Sequence, residues 1–196
     1  FDASRFVLGR DTRRSGPMLE AALSAGICAA GADVELLGVV PTPTVAWVAA
    51  RGSVPAAMIS ASHNPFADNG IKLFAPGGLK LADDVEARIQ ARYLELLGQP
   101  GAGSGSNFGD ARARGESAFA PTGADVGTLA AGSSDDIDGW VSAVCGSIAP
   151  RQLDGLRLVV DCAHGAAHEL GPRVLRRLGA EITVIGAEPD GTNIND

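Results

Sequence analysis

Short apolar runs alternate with segments of helical period along most of the chain, and no other feature of the sequence limits its fold as much. Residues 6–8, Phe-Val-Leu, read as a buried strand ending at Gly9. In "PMLEAALSAGICAAGA", Leu19, Leu23, Ile27 and Ala30 recur at helical spacing, with Ser15 placed as N-cap and Gly31 just past the end. "DVELLGVV" predicts a second strand, "PTPT" a turn that caps the helix "VAWVAARG", and "AAMIS" a further buried strand. After Lys72 come a short strand, a Gly77-Gly78 turn and a helix over 83–97, with Val85, Ile89, Tyr93 and Leu96 on one face. A helix over 135–147 carries Ile137, Trp140, Val141 and Val144 on one face, and Pro150 follows it. "LRLVVDCAHGAA", "ELGPRVLRRLGA" and "EITVIG" then predict strand, helix and strand. The alternation predicts an α/β fold, a mixed and largely parallel sheet layered with helices.

With 196 residues, 45% of them hydrophobic and 20% charged, the chain can bury a core in one or two domains. Residues 98–133 shift to Gly, Ala and Ser and are expected to form a flexible surface excursion. Gly101, Gly103 and Gly105 there mimic a dinucleotide fingerprint but lack the strand before and the helix after that such a site needs. A formal net charge of -7 argues against tracking a nucleic-acid backbone. Cys28, Cys145 and Cys162 are far apart and form no CxxC pair, which points to neither a disulfide framework nor zinc and suits a reducing cytoplasm. No run of about eighteen apolar residues occurs, and no signal-like start, so neither membrane nor export is expected.

The chemistry concentrates in "AMISASHNPFADNGIKLF". Parallel sheets place ligands at the carboxyl ends of their strands, and Ser60, Ser62, His63 and Asn64 directly follow such a strand. Pro65 biases Asn64 away from helical geometry, and Asp68-Asn69-Gly70 is turn chemistry that folds Lys72 back toward the serines. A hydroxyl, an imidazole and an ammonium in one loop suit phosphoryl transfer, where positioning and charge neutralisation supply most of the rate. Lys72 would serve as cation and proton shuttle if partly buried. The surroundings of Ser62 lack the glycines of G-x-S-x-G, and in extended backbone Ser62 and His63 diverge, so His63 is read as an orienting group. Spacing alone leaves open the plainer reading, in which Ser60 and Ser62 merely end a strand.

Among Arg10, Asp11, Arg13 and Arg14, which follow the first strand, Arg13 is the member best suited to face a substrate, with a solvated charged cap as the alternative. His164, before Gly165, is expected to make a structural hydrogen bond at a junction between domains, since no ligand spacing surrounds it. Cys162 is read as a small buried apolar residue, and Trp47 and Trp140 as core.

The segment from Ser60 to Pro65, followed by Asp68-Asn69-Gly70-Ile71-Lys72, resembles the active-site loop of the alpha-D-phosphohexomutases. The likeness extends in order through "GRDTRRSG", "GVVPTPT", "VVDCAHGAA" and "EPDGTNIND", and the Ser-Ala-Ser form with "EPDGTNIN" is most like the glucosamine branch. The resemblance implies a first domain over 1–150 without its N-terminal segment, carrying the flexible excursion at 98–133, and the first half of a second domain over 151–196. It implies Ser62 as the phosphoserine, Lys72 as acid/base, His63 as support of the nucleophile, and Arg13, Ser60 and Asn64 as substrate or phosphate contacts. Mg2+ would be held in part by the phosphate on Ser62; the aspartate loop DGDxDR that supplies its other ligands is not found in this chain, nor is the N-terminal TDGVRG. The implied reaction interconverts glucosamine 6-phosphate and glucosamine 1-phosphate, with glucosamine or glucose 1,6-bisphosphate as activator. A mannose or glucose phosphate substrate, or a non-catalytic remnant, are the alternatives. The implied partner is a small phosphosugar, and a homodimer is allowed. As a fragment, the 196 residues are expected to be inactive alone.

Overall fold

The computed structural model describes residues 3–98, 121–150 and 152–196. Strand β1 (Arg5–Arg10) leads into helix α1 (Gly16–Ala29), strand β2 (Asp33–Val39), helix α2 (Thr42–Gly52) and strand β3 (Ala56–Ile59). Strand β4 (Ile71–Phe74), helix α3 (Asp83–Gly98), strand β5 (Leu129–Ala131) and helix α4 (Ser134–Gly146) follow. Strand β6 (Arg157–Asp161), helix α5 (Leu170–Arg177) and strand β7 (Glu181–Ile185) complete the described chain.

Five strands form one sheet in the order β4-β3-β1-β2-β5, while β6 and β7 pair with each other. β1 runs parallel to β2 and β3, and β2 parallel to β5; only β4 is antiparallel, against β3. The second pair is parallel throughout. This is the mixed, largely parallel α/β architecture that the alternating pattern predicts.

β1 is central and buried on both faces, as its unbroken apolar run requires. Phe6 and Leu8 join Val34 and Ala57 under Leu23, Ile27 and Cys28 of α1. Val7 points the other way, into a larger cluster with Val45, Val48, Ala49, Met58 and Phe74, which α2 covers. Val7 and Leu8 are both fully buried, each worth about 1.5–3 kcal/mol relative to exposure. α4 continues this second layer: Val141 is fully buried, and Ile137, Trp140 and Val144 pack beside it. Leu170, Val174 and Leu178 from α5 and its end join the same cluster, so one apolar interior runs from the five-stranded sheet to the smaller one.

α1 ends where the sequence places its stop. The Gly31 amide donates to the Cys28 carbonyl at 2.9 Å, and Gly31 takes φ +89°, the left-handed geometry that glycine adopts at no steric cost.

Three details differ from expectation. Within the segment 98–133, β5 adds to the sheet edge: Val34 donates to the Thr128 carbonyl at 2.8 Å, and Leu36 aligns with Ala131. Its Leu-Ala-Ala composition carries no strand propensity, and pairing with the preformed edge of β2 supplies what propensity lacks. The Gly-rich part of that excursion, residues 99–120, lies outside the described residues. Helix α3 forms over the expected span but buries none of its side chains among the described residues; Tyr93, on its expected core face, is 60% exposed. Lys72, finally, sits inside β4 rather than ahead of it. No helix of the described residues is long and apolar enough to cross a membrane.

Candidate active site

β1 and β3 are neighbours whose onward connections leave toward opposite sides of the sheet, α1 covering one face and β4 turning back along the edge. The crevice above the carboxyl ends of two such strands is where open α/β sheets bind ligands. Residues 11–15 after β1 and residues 60–70 after β3 occupy it.

Residues 60–70 close a tight loop between the antiparallel strands. At its base the Ser60 amide donates to the Gly70 carbonyl at 2.8 Å, extending the β3–β4 ladder. Asn64 donates back to the Ala61 carbonyl at 3.2 Å and Asp68 to the Pro65 carbonyl at 3.1 Å, giving two successive turns. Asn69 fixes the exit: its Oδ1 accepts from the Gly70 amide, and its Nδ2 donates to Ser15 Oγ, both at 2.8 Å. Ser62, at the tip, is exposed and takes φ +56°. This left-handed backbone costs a non-glycine residue about 1–3 kcal/mol and persists only where the surroundings impose it. It replaces the extended backbone expected there.

Arg13 and Asp11 lie beneath the loop and bond to it. Arg13 is 0% exposed and Asp11 2%, and Arg13 Nε donates to Asp11 Oδ2 at 2.8 Å. Nη2 donates to the Ser62 carbonyl at 2.8 Å and the Asn64 carbonyl at 2.9 Å. Nη1 donates to the Asp68 carbonyl at 3.0 Å and to the Pro65 carbonyl. All five guanidinium N–H bonds are thereby used. Asp11 also accepts from Ser60 Oγ at 2.7 Å, and Ser60 Oγ accepts the Ser62 amide at 3.0 Å. Ser60 thus completes a relay from the buried ion pair to the tip of the loop.

Each residue expected at the site is in or beside this loop, with different freedom. Ser62, His63 and Asn64 are exposed, and the Ser62 hydroxyl has no hydrogen-bond partner among the described residues. The Asn64 side chain donates to Asp68 Oδ2 at 3.1 Å, within the loop. Lys72 stands opposite Met58 on β4; it is exposed rather than partly buried. Arg13 departs most from expectation. A fully buried guanidinium with every donor spent on the protein has nothing to offer a substrate phosphate, so its expected phosphate contact does not fit this placement.

A second set of contacts reaches both loops from the side of the smaller sheet. Asn195 Nδ2 donates to the Asn64 carbonyl at 3.2 Å, Thr12 Oγ1 to the His164 carbonyl at 2.6 Å, and the Arg14 amide to the Gly191 carbonyl at 2.8 Å. His164 takes φ +50°, and its Nδ1 accepts the Glu188 amide at 3.2 Å, the structural role expected of it. Asp190 caps the turn 190–193, accepting from the Thr192 amide and hydroxyl and from the Asn193 amide. The Thr192 bonds hold its carboxyl below its usual value, helped by Asn193 and by His164. Burial, with the Asp161 charge beside it, pushes the Cys162 thiol up, which suits an inert packed sulfur rather than a nucleophile. Among the described residues no three His, Cys, Asp or Glu side chains converge to hold a metal ion. The contact with Mg2+ expected of this chain is the phosphate on Ser62, whose side chain is exposed at the tip of the loop.

Sequence reasoning missed Asp11 as a buried partner, Thr12 as a tie to the loop after β6, and Asn195 as a tie to the loop of Ser62. The only advance signal was two charges of opposite sign, two residues apart, directly after a buried strand.

The family described as phosphoglucomutase/phosphomannomutase, alpha/beta/alpha domain I, matches residues 2–97. A phosphoglucosamine mutase of Symbiobacterium thermophilum is 48% identical over 190 residues, 96% of this chain and 38% of the relative. One from Parafrankia sp. is 48% identical over 97% of this chain and 37% of its own. Among solved structures, a phosphoglucomutase/phosphomannomutase family protein from Burkholderia thailandensis superimposes with a TM-score of 0.70 at 29% identity, covering 97% of this chain and 37% of that one. The chain thus matches a phosphoglucomutase/phosphomannomutase domain I over residues 2–97, just under half of its length. Along nearly all its length it is homologous to phosphoglucosamine mutases in particular, and it spans about 38% of their length.

Proposed function

We propose that the natural protein carrying this chain is a phosphoglucosamine mutase that works through a phosphoserine at Ser62. The observation that carries the reading is the presentation of Ser62: an exposed hydroxyl without a protein partner, at the tip of a loop whose backbone is fixed on all sides. A nucleophile that must give up and retrieve a phosphoryl group needs this combination of free oxygen and fixed direction. The likeness to phosphoglucosamine mutases supports this substrate class.

In the proposed cycle the C1 hydroxyl of glucosamine 6-phosphate attacks the phosphorus carried by Ser62. The new bond from phosphorus to the C1 oxygen forms as the bond to the Ser62 oxygen breaks. The hydroxyl proton leaves to a base, and the serine oxygen regains one. The 1,6-bisphosphate then turns over, Ser62 attacks the 6-phosphate, and glucosamine 1-phosphate departs. Lys72 is assigned the proton transfers at Nζ and the balancing of phosphate charge, His63 the support of Ser62, and Asn64 and Ser60 the shape of the phosphate-facing loop. The division of the chain into a unit up to 150 and a second over 151–196 belongs to the same proposal, as does a cytoplasmic setting. That the 196 residues alone are inactive belongs to the same proposal, as the chain spans about 38% of the length of its phosphoglucosamine mutase relatives.

Peptide mass mapping of the natural full-length protein tests the reading. Phosphate on Ser62 that is lost on adding glucosamine phosphates supports it. A folded preparation with magnesium and glucosamine 1,6-bisphosphate in which Ser62 never accepts phosphate overturns it.

A further inference from the structure

The geometry points to Arg13 and Asp11 as a buried clamp that sets the direction of the Ser62 hydroxyl, so that they control turnover while touching no substrate. The inference rests on the phosphoserine reading of Ser62 and assigns positioning residues to it.

Four loop carbonyls, those of Ser62, Asn64, Pro65 and Asp68, converge on one guanidinium. Four carbonyls pointing inward at one place repel each other unless a planar cation with a fork of donors sits among them, and only arginine offers five N–H bonds in a fixed plane. A lysine at the same position has three donors from a single point and cannot reach all four. Asp11 holds the guanidinium in plane through Nε and balances its charge in a site from which water is excluded. It also fixes Ser60 Oγ, which in turn receives the Ser62 amide. The backbone of Ser62 is therefore gripped at its carbonyl by Arg13 and at its amide by Ser60. Those two grips keep φ at +56°, and φ directs the bond from Cα to Cβ and so the hydroxyl.

The test uses the natural full-length protein and the variants Arg13→Lys, Ser60→Ala and Ser60→Thr, with glucosamine phosphates as substrates and amide hydrogen exchange across residues 60–70 as a second readout. A positioning role predicts that Arg13→Lys lowers kcat by about 100-fold, the effect of an ångström-scale misplacement, with KM changed by less than about threefold. Exchange at the loop amides should quicken in Arg13→Lys and Ser60→Ala, and Ser60→Thr, which keeps the hydroxyl, should restore both protection and turnover. A raised KM at unchanged kcat would mean a direct phosphate contact and overturn the clamp, as would unaltered kcat and exchange in both Arg13→Lys and Ser60→Ala. If Arg13→Lys does not fold, the contrast between the two Ser60 variants decides the matter alone. Absence of turnover in the unsubstituted protein overturns the mutase reading, and with it the clamp's catalytic role; turnover that survives the variants overturns the clamp only.

Discussion

Thr12 Oγ1 donates to the carbonyl of His164 at 2.6 Å, joining the loop after β1 to the loop after β6. The Arg14–Gly191 bond doubles that tie, and the Asn195–Asn64 bond reaches the loop that carries Ser62. Thr12→Val keeps the shape and removes the donor. It should cost about 1 kcal/mol, a fall in Tm of about 2–4 °C for a chain of this size. Scanning calorimetry reads it, and an unchanged Tm would mean that the bond is replaced by water at no loss.

Lys72 stands on β4 with its side chain exposed and without an ion pair among the described residues. Lys72→Met should therefore leave Tm within about 1 °C, as surface changes usually cost little, while kcat of the full-length protein falls by about 100- to 10,000-fold. Retained turnover would remove Lys72 from the proton transfers.

Two glycines should respond to alanine with opposite signs. A Cβ on Gly78, which has φ +77°, would lie 2.2 Å from the Ala46 carbonyl oxygen, a backbone atom of α2 that cannot yield. Gly78→Ala should destabilise by about 1–3 kcal/mol or more. Gly26, inside α1, has nothing within 4 Å of its Cβ position, so Gly26→Ala should stabilise by about 0.5–1 kcal/mol. Urea unfolding of the two variants gives both values.

Gly139 of α4 lies against side chains of α2. A side chain there meets Trp47 Cη2 and Arg51 Nη1, each at 2.8 Å, and Arg51 is stacked 5.2 Å from the centroid of that same Trp47 ring. Gly139→Val should part the helices, at a cost of about 1–3 kcal/mol, and shift tryptophan emission to the red. An emission spectrum identical to that of the parent would contradict the contact.

Asp33 Oδ1 accepts from both the amide and the hydroxyl of Thr128 at 2.7 Å. These bonds, the amide first, hold its carboxyl below the usual value. A depressed folded-state pKa gives a contribution that is whole above the unfolded value of about 3.9 and is lost as pH falls through the lower folded value. Below about pH 4, exchange at the Thr128 amide should accelerate before the rest of the sheet opens. Asp33→Asn should abolish that acid-specific step.

The layered α/β plan was legible because each element announces itself locally. α1 has a periodic face and a glycine stop, and β1 is an apolar run buried on both sides. What was hidden depends on partners distant in sequence. β5 is Leu-Ala-Ala and becomes a strand only because β2 offers an edge. The face of α3 that periodicity assigned to the core is exposed, since period gives the apolar side of a helix but not whether anything covers it. At the site, the motif placed Ser62, His63 and Lys72 near one loop, yet it put Arg13 in solvent reach of a phosphate. Nothing in "GRDTRR" distinguishes an arginine that meets a ligand from one that folds inward against Asp11.

Because Arg13 grips residues 62–68 only by their main-chain oxygens, it is indifferent to what those residues carry. The path of the loop and its cargo are specified separately. Phe66 and Ala67, between two gripped carbonyls and exposed, can be exchanged without disturbing the grip. A lineage, or an engineer, can refit the outer surface of the loop while the serine keeps its aim.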